Sequence, residues 1–185
     1  SPDGKWITFN RQIDPAARHR VRWCDTYLMK PDGSGARKIM EKVHNVCWSP
    51  DSKELAFGTG EDPDREWMPA GFRILDLATG EVRWLATYSK GIESIAWAGG
   101  SIFAYRIRWE GPAGGNKGIR NGVFYHNLSA QAPPLFLYMG CHPAITRDGK
   151  TVLHNWDNPV LGLVTNLDRY AETGKAQGLE RRTMT

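Results

Sequence analysis

Short stretches of alternating apolar and polar residues run through the whole chain. The stretch Phe72–Leu77 is a clear example, and the Thr79-Gly80 pair that follows it is typical of a turn between two strands. Such alternation places successive side chains on opposite faces of a strand, as in a sheet packed between neighbouring sheets. Because the spacing of about 3.6 residues that marks an amphipathic helix is nearly absent, the pattern predicts an all-β fold.

Four segments of the sequence recur at a spacing of about 48 residues. They are Ser1–Lys5, Trp48–Lys53, Trp97–Gly100 and Ile145–Lys150, and each is followed by a short apolar-rich stretch. A repeat of about 40 to 50 residues, built from short strands and Asp-Gly turns, is typical of β-propeller blades. The sequence therefore predicts a β-propeller of about four four-stranded blades, the first of them incomplete.

Each predicted blade has strands a to d, and the blades span approximately residues 1–41, 42–89, 90–138 and 139–185. The first blade lacks strand a, and its later strands are Thr26–Met29 and Ala36–Met40. The strands of the second blade are Val43–Trp48, Glu54–Gly58, Phe72–Leu77 and Val82–Ala86. Those of the third are Ile92–Trp97, Ile102–Arg106, Val123–Leu128 and Leu135–Tyr138. Those of the fourth are His142–Thr146, Thr151–Asn155, Gly162–Leu167 and Leu179–Thr183.

Three segments resemble the TolB-like propeller repeat. They are Ser1–Phe9, Tyr27–Lys38 and Cys47–Phe57, with a partial match at Thr146–Leu153 and a weak one in the third blade, where Ala98-Gly99 replaces Pro-Asp. The repeat occurs in periplasmic binding proteins, in the propeller domains of peptidases and in propeller lyases, so the resemblance implies a fold and leaves the activity open. It also implies six or more blades. We therefore expect this chain to be an arc of a larger propeller, or a half that pairs with another copy through its open edges.

The composition excludes some classes of function. Lys and Arg number 24 against 20 Asp and Glu, a net charge of +4 that is interspersed along the chain. Since no continuous basic stripe is present, we do not expect a nucleic-acid partner. No run approaches the roughly 18 apolar residues that span a bilayer. Cys24, Cys47 and Cys141 show no Cys-x-x-Cys spacing, and we expect them to be buried small apolar residues rather than disulfide partners.

The loops between strands b and c are the predicted binding elements. The resemblance implies that these loops emerge on the same face as the start of strand a, and they differ in length and charge from blade to blade. Each carries a tryptophan beside a charged residue, a combination enriched in binding hot spots. The predicted binding residues are Arg18, Arg20, Arg22, Trp23, Trp67, Arg108, Trp109 and Trp156. The alternative is that the tryptophans fill gaps between blades.

The start of strand a is unusually polar in three blades. Aligning the repeats on Trp48, Trp97 and Ile145 places two residues of each blade at this start: His44 and Asn45 in the second, Glu93 and Ser94 in the third, and Cys141 and His142 in the fourth. His44, Glu93 and His142 among them carry imidazole or carboxylate groups. Imidazole and carboxylate groups bind transition metals and transfer protons, so these residues are the alternative catalytic set, with His44 and His142 as ligands of a divalent metal ion. The other explanation is that they face trapped water in the channel, in which case no cofactor is required.

Two classes of function therefore remain open. No nucleophile elbow, phosphate-binding loop or zinc-protease helix is present, which favours a non-enzymatic binding or scaffold module, periplasmic or secreted, that recognises a protein or glycan. The alternatives are a propeller lyase resembling oligogalacturonate lyases and the propeller domain of a peptidase. In the lyase, Arg18, Arg20 or Arg22 would pair with the carboxylates of a uronic-acid chain.

Overall fold

The computed structural model describes residues 1–13, 24–43, 45–58, 70–88, 92–110, 119–130, 133–139, 141–155, 161–173, 175 and 178–184. Fifteen strands and one short helix lie in these ranges. The strands in the first half of the chain are β1 Ile7–Gln12, β2 Cys24–Met29, β3 Arg37–Val43, β4 Asn45–Trp48, β5 Glu54–Gly58, β6 Ala70–Asp76 and β7 Val82–Tyr88. Those in the second half are β8 Ile92–Gly99, β9 Ile102–Glu110, β10 Ile119–Asn127, β11 Leu135–Met139, β12 Cys141–Ile145, β13 Val152–Asn155, β14 Leu161–Thr165 and β15 Glu180–Met184. The helix α1 is Leu167–Thr173.

The strands form four sheets, each built from consecutive strands. Their orders are β1-β2-β3, β4-β5-β6-β7, β8-β9-β10-β11 and β12-β13-β14-β15. The chain divides into two compact units, Ser1–Ile92 and Glu93–Thr185, which hold the first two and the last two sheets respectively. The predicted all-β fold is confirmed.

Each compact unit has its own apolar core between its two sheets. In the first unit Val43 of β3 packs with Leu55, Phe57 and Leu75 of the second sheet. In the second unit Tyr125 and Val123 of β10 pack with residues of the fourth sheet that include Val164. Alternate residues of one strand thus cover the neighbouring sheet, which is the burial pattern expected when sheets are stacked.

The turns that precede strand b repeat the same hydrogen bonds in three of the four blades. The hydroxyls of Ser1, Ser49 and Thr146 each donate to the Asp two residues later at 2.6 Å, and those carboxylates accept a backbone N–H from Lys5, Lys53 and Lys150. The residue after each Asp has a positive φ, at Gly4, Ser52 and Gly149. These bonds lower the pKa of Asp3 to about 2. Each of these carboxylates thus holds its own turn together through local hydrogen bonds.

Two element assignments from the sequence were wrong. Leu167, predicted to end a strand, begins α1, because Leu167 and Tyr170 both bury their side chains in the core and their spacing of three residues suits a helix. Val43, predicted to begin strand a of the second blade, instead ends β3, where it pairs with Cys24. Cys24 and Cys47 were expected to be buried, and both are instead half-buried. Cys47 is a free thiol.

Candidate functional site

The strands of a four-stranded sheet end along two opposite sides. Along one of these sides, the start of strand a lies next to the strand ends that carry the b–c loop. In the second sheet Asn45, the first residue of β4, pairs with Gly58, the last of β5, and Gly58 pairs with Phe72 of β6. In the fourth sheet Cys141 pairs with Asn155, and Asn155 pairs with Leu161. Within these sheets the predicted coincidence of the two features on one edge is confirmed. We call this edge the loop edge.

Most of the predicted binding residues lie outside the described residues. These are Arg18, Arg20, Arg22, Trp23, Trp67 and Trp156. Arg108 and Trp109 were assigned to a loop, and this was wrong, because both belong to β9, where they pair with Asn121 and Arg120 of β10. The long β9–β10 hairpin thus extends four residues beyond the predicted end of strand b at Arg106.

The three residues of the alternative catalytic set are not brought together by the described part of the chain. His44 lies outside it, and Glu93 lies in β8 with a side chain that is not described. His142 has a φ of 48° at a bulge in β12, and its side chain is exposed. No group of three or more His, Cys, Asp or Glu residues able to hold a metal ion occurs in the described ranges. Since His44 is outside them, the metal alternative stays a prediction.

The loop edge of the fourth sheet contains a buried histidine that the sequence analysis missed. His154 of β13 is 3% exposed and lies against Gly162 of β14, where a Cβ would sit only 1.7 Å from the imidazole Nε2. Burial lowers the pKa of His154 to about 4, so the imidazole is neutral near pH 7. Beside it, the side-chain Oδ1 of Asn155 is buried without a hydrogen-bond partner. The loop edge of the fourth sheet therefore contains a neutral imidazole and a buried amide oxygen.

A second polar feature that the sequence analysis missed lies between the first and second sheets. Arg73 of β6 projects from the same face of its sheet as the core residues Phe57 and Leu75, and its guanidinium carbon lies 5.2 Å from the centre of the Trp84 ring. Burial lowers the pKa of this guanidinium. An arginine at an otherwise apolar position of an alternating strand was the available sequence signal.

No family model matches the chain. A probable dipeptidyl-peptidase 5 from Emericella nidulans is 32% identical over 111 residues, a match that covers 52% of this chain and 15% of that protein. TolB from Acinetobacter baumannii superposes with a TM-score of 0.61 at 18% identity over 100% of this chain and 42% of that one. The acylaminoacyl peptidase of Pyrococcus horikoshii gives a TM-score of 0.61 at 11% identity over 98% of this chain and 31% of that one.

Together with the four consecutive antiparallel sheets, these likenesses show a β-propeller fold. This chain spans less than half the length of each of the three proteins. Among the described residues, no helix is long and apolar enough to cross a membrane.

Proposed function

We propose that this chain is part of the propeller of a peptidase, and that it binds and admits substrate while another part of the protein carries out catalysis. The observation that carries the proposal is the 32% identity with a probable dipeptidyl-peptidase over 52% of the chain. The superposition on an acylaminoacyl peptidase supports the same fold but not the activity.

The structure of the sheets suits a binding role. The long hairpin of the third blade is held by continuous antiparallel pairing between Ile102–Glu110 and Ile119–Asn127. A rigid sheet that ends in long, chemically different loops is a common arrangement for recognition. Substrate would meet the loop edges first, through the tryptophans and arginines predicted from the sequence. The periplasmic or secreted location implied by the resemblance is part of this proposal.

The native protein that contains this chain provides the test. It would be purified from its source with an antibody raised against residues 70–88. Mass spectrometry would give its mass, and hence the length of the polypeptide. Its peptidase activity would be assayed on dipeptidyl 4-nitroanilides. We expect a polypeptide longer than 185 residues that releases dipeptides, whereas the 185-residue chain alone should release none. A purified native protein without peptidase activity would overturn the proposal.

Variants of that protein test the binding role of the loop edges. Trp67→Ala and Trp109→Ala should each lower kcat/KM about tenfold if the tryptophans contact substrate. Trp84→Ala is the matched control, because Trp84 lies on the outermost strand of the second sheet. If the native protein lacks peptidase activity but loses a captured protein or glycan in the Trp67 and Trp109 variants, the non-enzymatic binding module is the better description.

The metal-dependent lyase remains a separate prediction, and the described residues provide no observation in its favour. Its test is the metal content of the purified protein, with a His44→Ala, His142→Ala double variant as the comparison. Stoichiometric metal that is lost in the double variant would support the lyase.

A further inference from the structure

A groove of about 360 Å³ lies between the first and second sheets, inside the first compact unit. Its volume is at the small end of the range for ligand pockets. Its described lining comes from strands β3 and β6. The lining residues are Lys38, Ile39, Met40, Glu41 and Arg73.

Arg73 is the unusual group in this groove. Among the described residues its Nη1 donates to the Met40 Sδ, at 3.9 Å, and a thioether is a weak acceptor. Its Nε and Nη2 are shielded from solvent and have no hydrogen-bond partner. The described part of the chain also gives Arg73 no carboxylate partner. Removing two N–H donors of a cation from water without replacing their hydrogen bonds is unfavourable, so a partner for this edge of the guanidinium is missing.

The other cation of the groove is already neutralised. The Lys38 ammonium lies 3.5 Å from an Asp25 carboxylate oxygen and 2.5 Å from a Glu41 carboxylate oxygen. The charges of Lys38, Arg73, Asp25 and Glu41 therefore sum to zero. A dianion would be repelled by Asp25 and Glu41. A monoanion at Arg73 would contact a cation that stacks on Trp84 but has no carboxylate partner in the described part of the chain.

The geometry of the missing partner follows from the guanidinium. Nε–H and Nη2–H point the same way and form a fork that matches the two oxygens of a carboxylate. Ile39 and Met40 supply apolar walls for a short aliphatic stem. The Met40 side chain, whose Sδ lies 3.9 Å from Arg73 Nη1, is flexible and can adjust its shape to a bound stem.

We propose that this groove binds a carboxylate carried on a short aliphatic stem, with Arg73 as the bidentate donor. A glutamate side chain of a peptide and a free short-chain carboxylic acid share this chemistry. The site is independent of the peptidase proposal, since it depends only on residues of the first compact unit.

The test is an NMR titration of the 185-residue chain, following the Arg73 Nε–H and Trp84 Nε1–H signals. The probes are N-acetylglutamic acid amide for the peptide source and butyrate for the free acid. N-acetylglutamine amide is the neutral isostere, and inorganic phosphate is the dianion. We expect saturable shifts with the two carboxylates, with dissociation constants in the millimolar range usual for ligands of this size, and none with the amide. The tighter carboxylate identifies the source.

Two matched variants complete the test. Arg73→Gln should weaken carboxylate binding about tenfold or more, because a charge-assisted pair is lost. Arg83→Gln should leave it unchanged, because Arg83 is already paired with Glu54 at 2.5 Å. We also expect the melting temperature of Arg73→Gln to be equal to or above that of the parent chain. The variant loses the contact with the Trp84 ring, but it no longer buries two N–H donors of a cation without hydrogen bonds. A purely structural arginine would give a lower one.

The proposal is overturned by equal binding of the amide, by tighter binding of phosphate, by unchanged affinity in Arg73→Gln, or by no saturable binding in the parent chain. The parent-chain titration is decisive by itself if Arg73→Gln does not fold.

Discussion

His154 is kept uncharged inside the fourth sheet because Gly162, directly opposite on the next strand, leaves room for the imidazole. Any larger residue at 162 would collide with it, so the two positions depend on each other. The pKa near 4 means that the folded protein resists protonation of this group, while the unfolded chain accepts a proton near pH 6.5. Folding stability is therefore present above about pH 6.5 and is lost as the pH falls towards about 4.

We predict that the free energy of unfolding falls by about 2 kcal/mol between about pH 7.5 and about pH 5 because His154 is protonated in the unfolded chain but not in the folded one. Urea denaturation of the parent chain and of His154→Gln at both pH values measures this difference. The variant should show the smaller loss on acidification.

The control is His142→Gln, which changes an exposed histidine in the neighbouring strand β12. This variant is measured at the same two pH values, so that the loss of any imidazole is distinguished from the loss of the buried one. An equal pH dependence in the parent chain and in His154→Gln would contradict the buried, neutral imidazole.

Individual polar residues were the least predictable part of the molecule. His154 and Arg73 both occupy inward positions of alternating strands, where the sequence alone predicts only that a side chain is on one face. Whether such a residue contacts a glycine, an indole or a thioether depends on a neighbouring strand that is distant in sequence or on a neighbouring sheet. The role of the carboxylates in the Asp turns was easier to predict, because their hydrogen bonds join residues only a few positions apart in sequence.

At the scale of elements, the Tyr170 side chain links helix α1 to the connection between β10 and β11. The Tyr170 hydroxyl donates to the carbonyl oxygen of Pro133 at 2.7 Å. Tyr125 packs edge-on against it, with ring centres 6.5 Å apart, but its own hydroxyl is buried without a partner. Burial raises the pKa of Tyr125 to about 12. The two neighbouring tyrosines thus differ in whether the hydroxyl is satisfied.

We predict opposite outcomes for the same substitution at these positions. Tyr170→Phe should lower the free energy of unfolding by about 1 kcal/mol, because it removes a hydrogen bond and leaves the Pro133 carbonyl unpaired. Tyr125→Phe should leave it unchanged or raise it by up to about 1 kcal/mol, because it removes an unsatisfied hydroxyl. Urea denaturation of both variants gives the comparison, and equal destabilisation by the two would count against this arrangement of the core.

The strands were predictable where alternation and turn chemistry coincide. Strand β5 has the predicted bounds Glu54–Gly58 because an Asp turn precedes it and apolar residues fill it. The ends of β9 and β10 were not predictable, since their pairing continues through Arg108 and Trp109, which look like loop residues. Helix α1 was missed because seven residues are too few to show a helical period.

At the scale of the whole molecule, the repeat of about 48 residues determines the architecture. Each repeat supplies one sheet, and each sheet buries a face that it cannot cover alone. Because the turn and strand pattern recurs with each sheet, the fold was predictable from the sequence. The loops that give each blade its chemistry do not repeat, which is why the candidate site was only partly predictable.

The central claim is that each repeat forms its own antiparallel sheet. Nuclear Overhauser contacts between paired strands in the 185-residue chain test it most directly. We predict cross-strand contacts for the pairs Ala56–Ile74, Ala104–Tyr125 and Val152–Val164, one in each four-stranded sheet. Helical contacts within Phe72–Leu77 or Val123–Leu128, or the absence of these three pairs, would contradict the account.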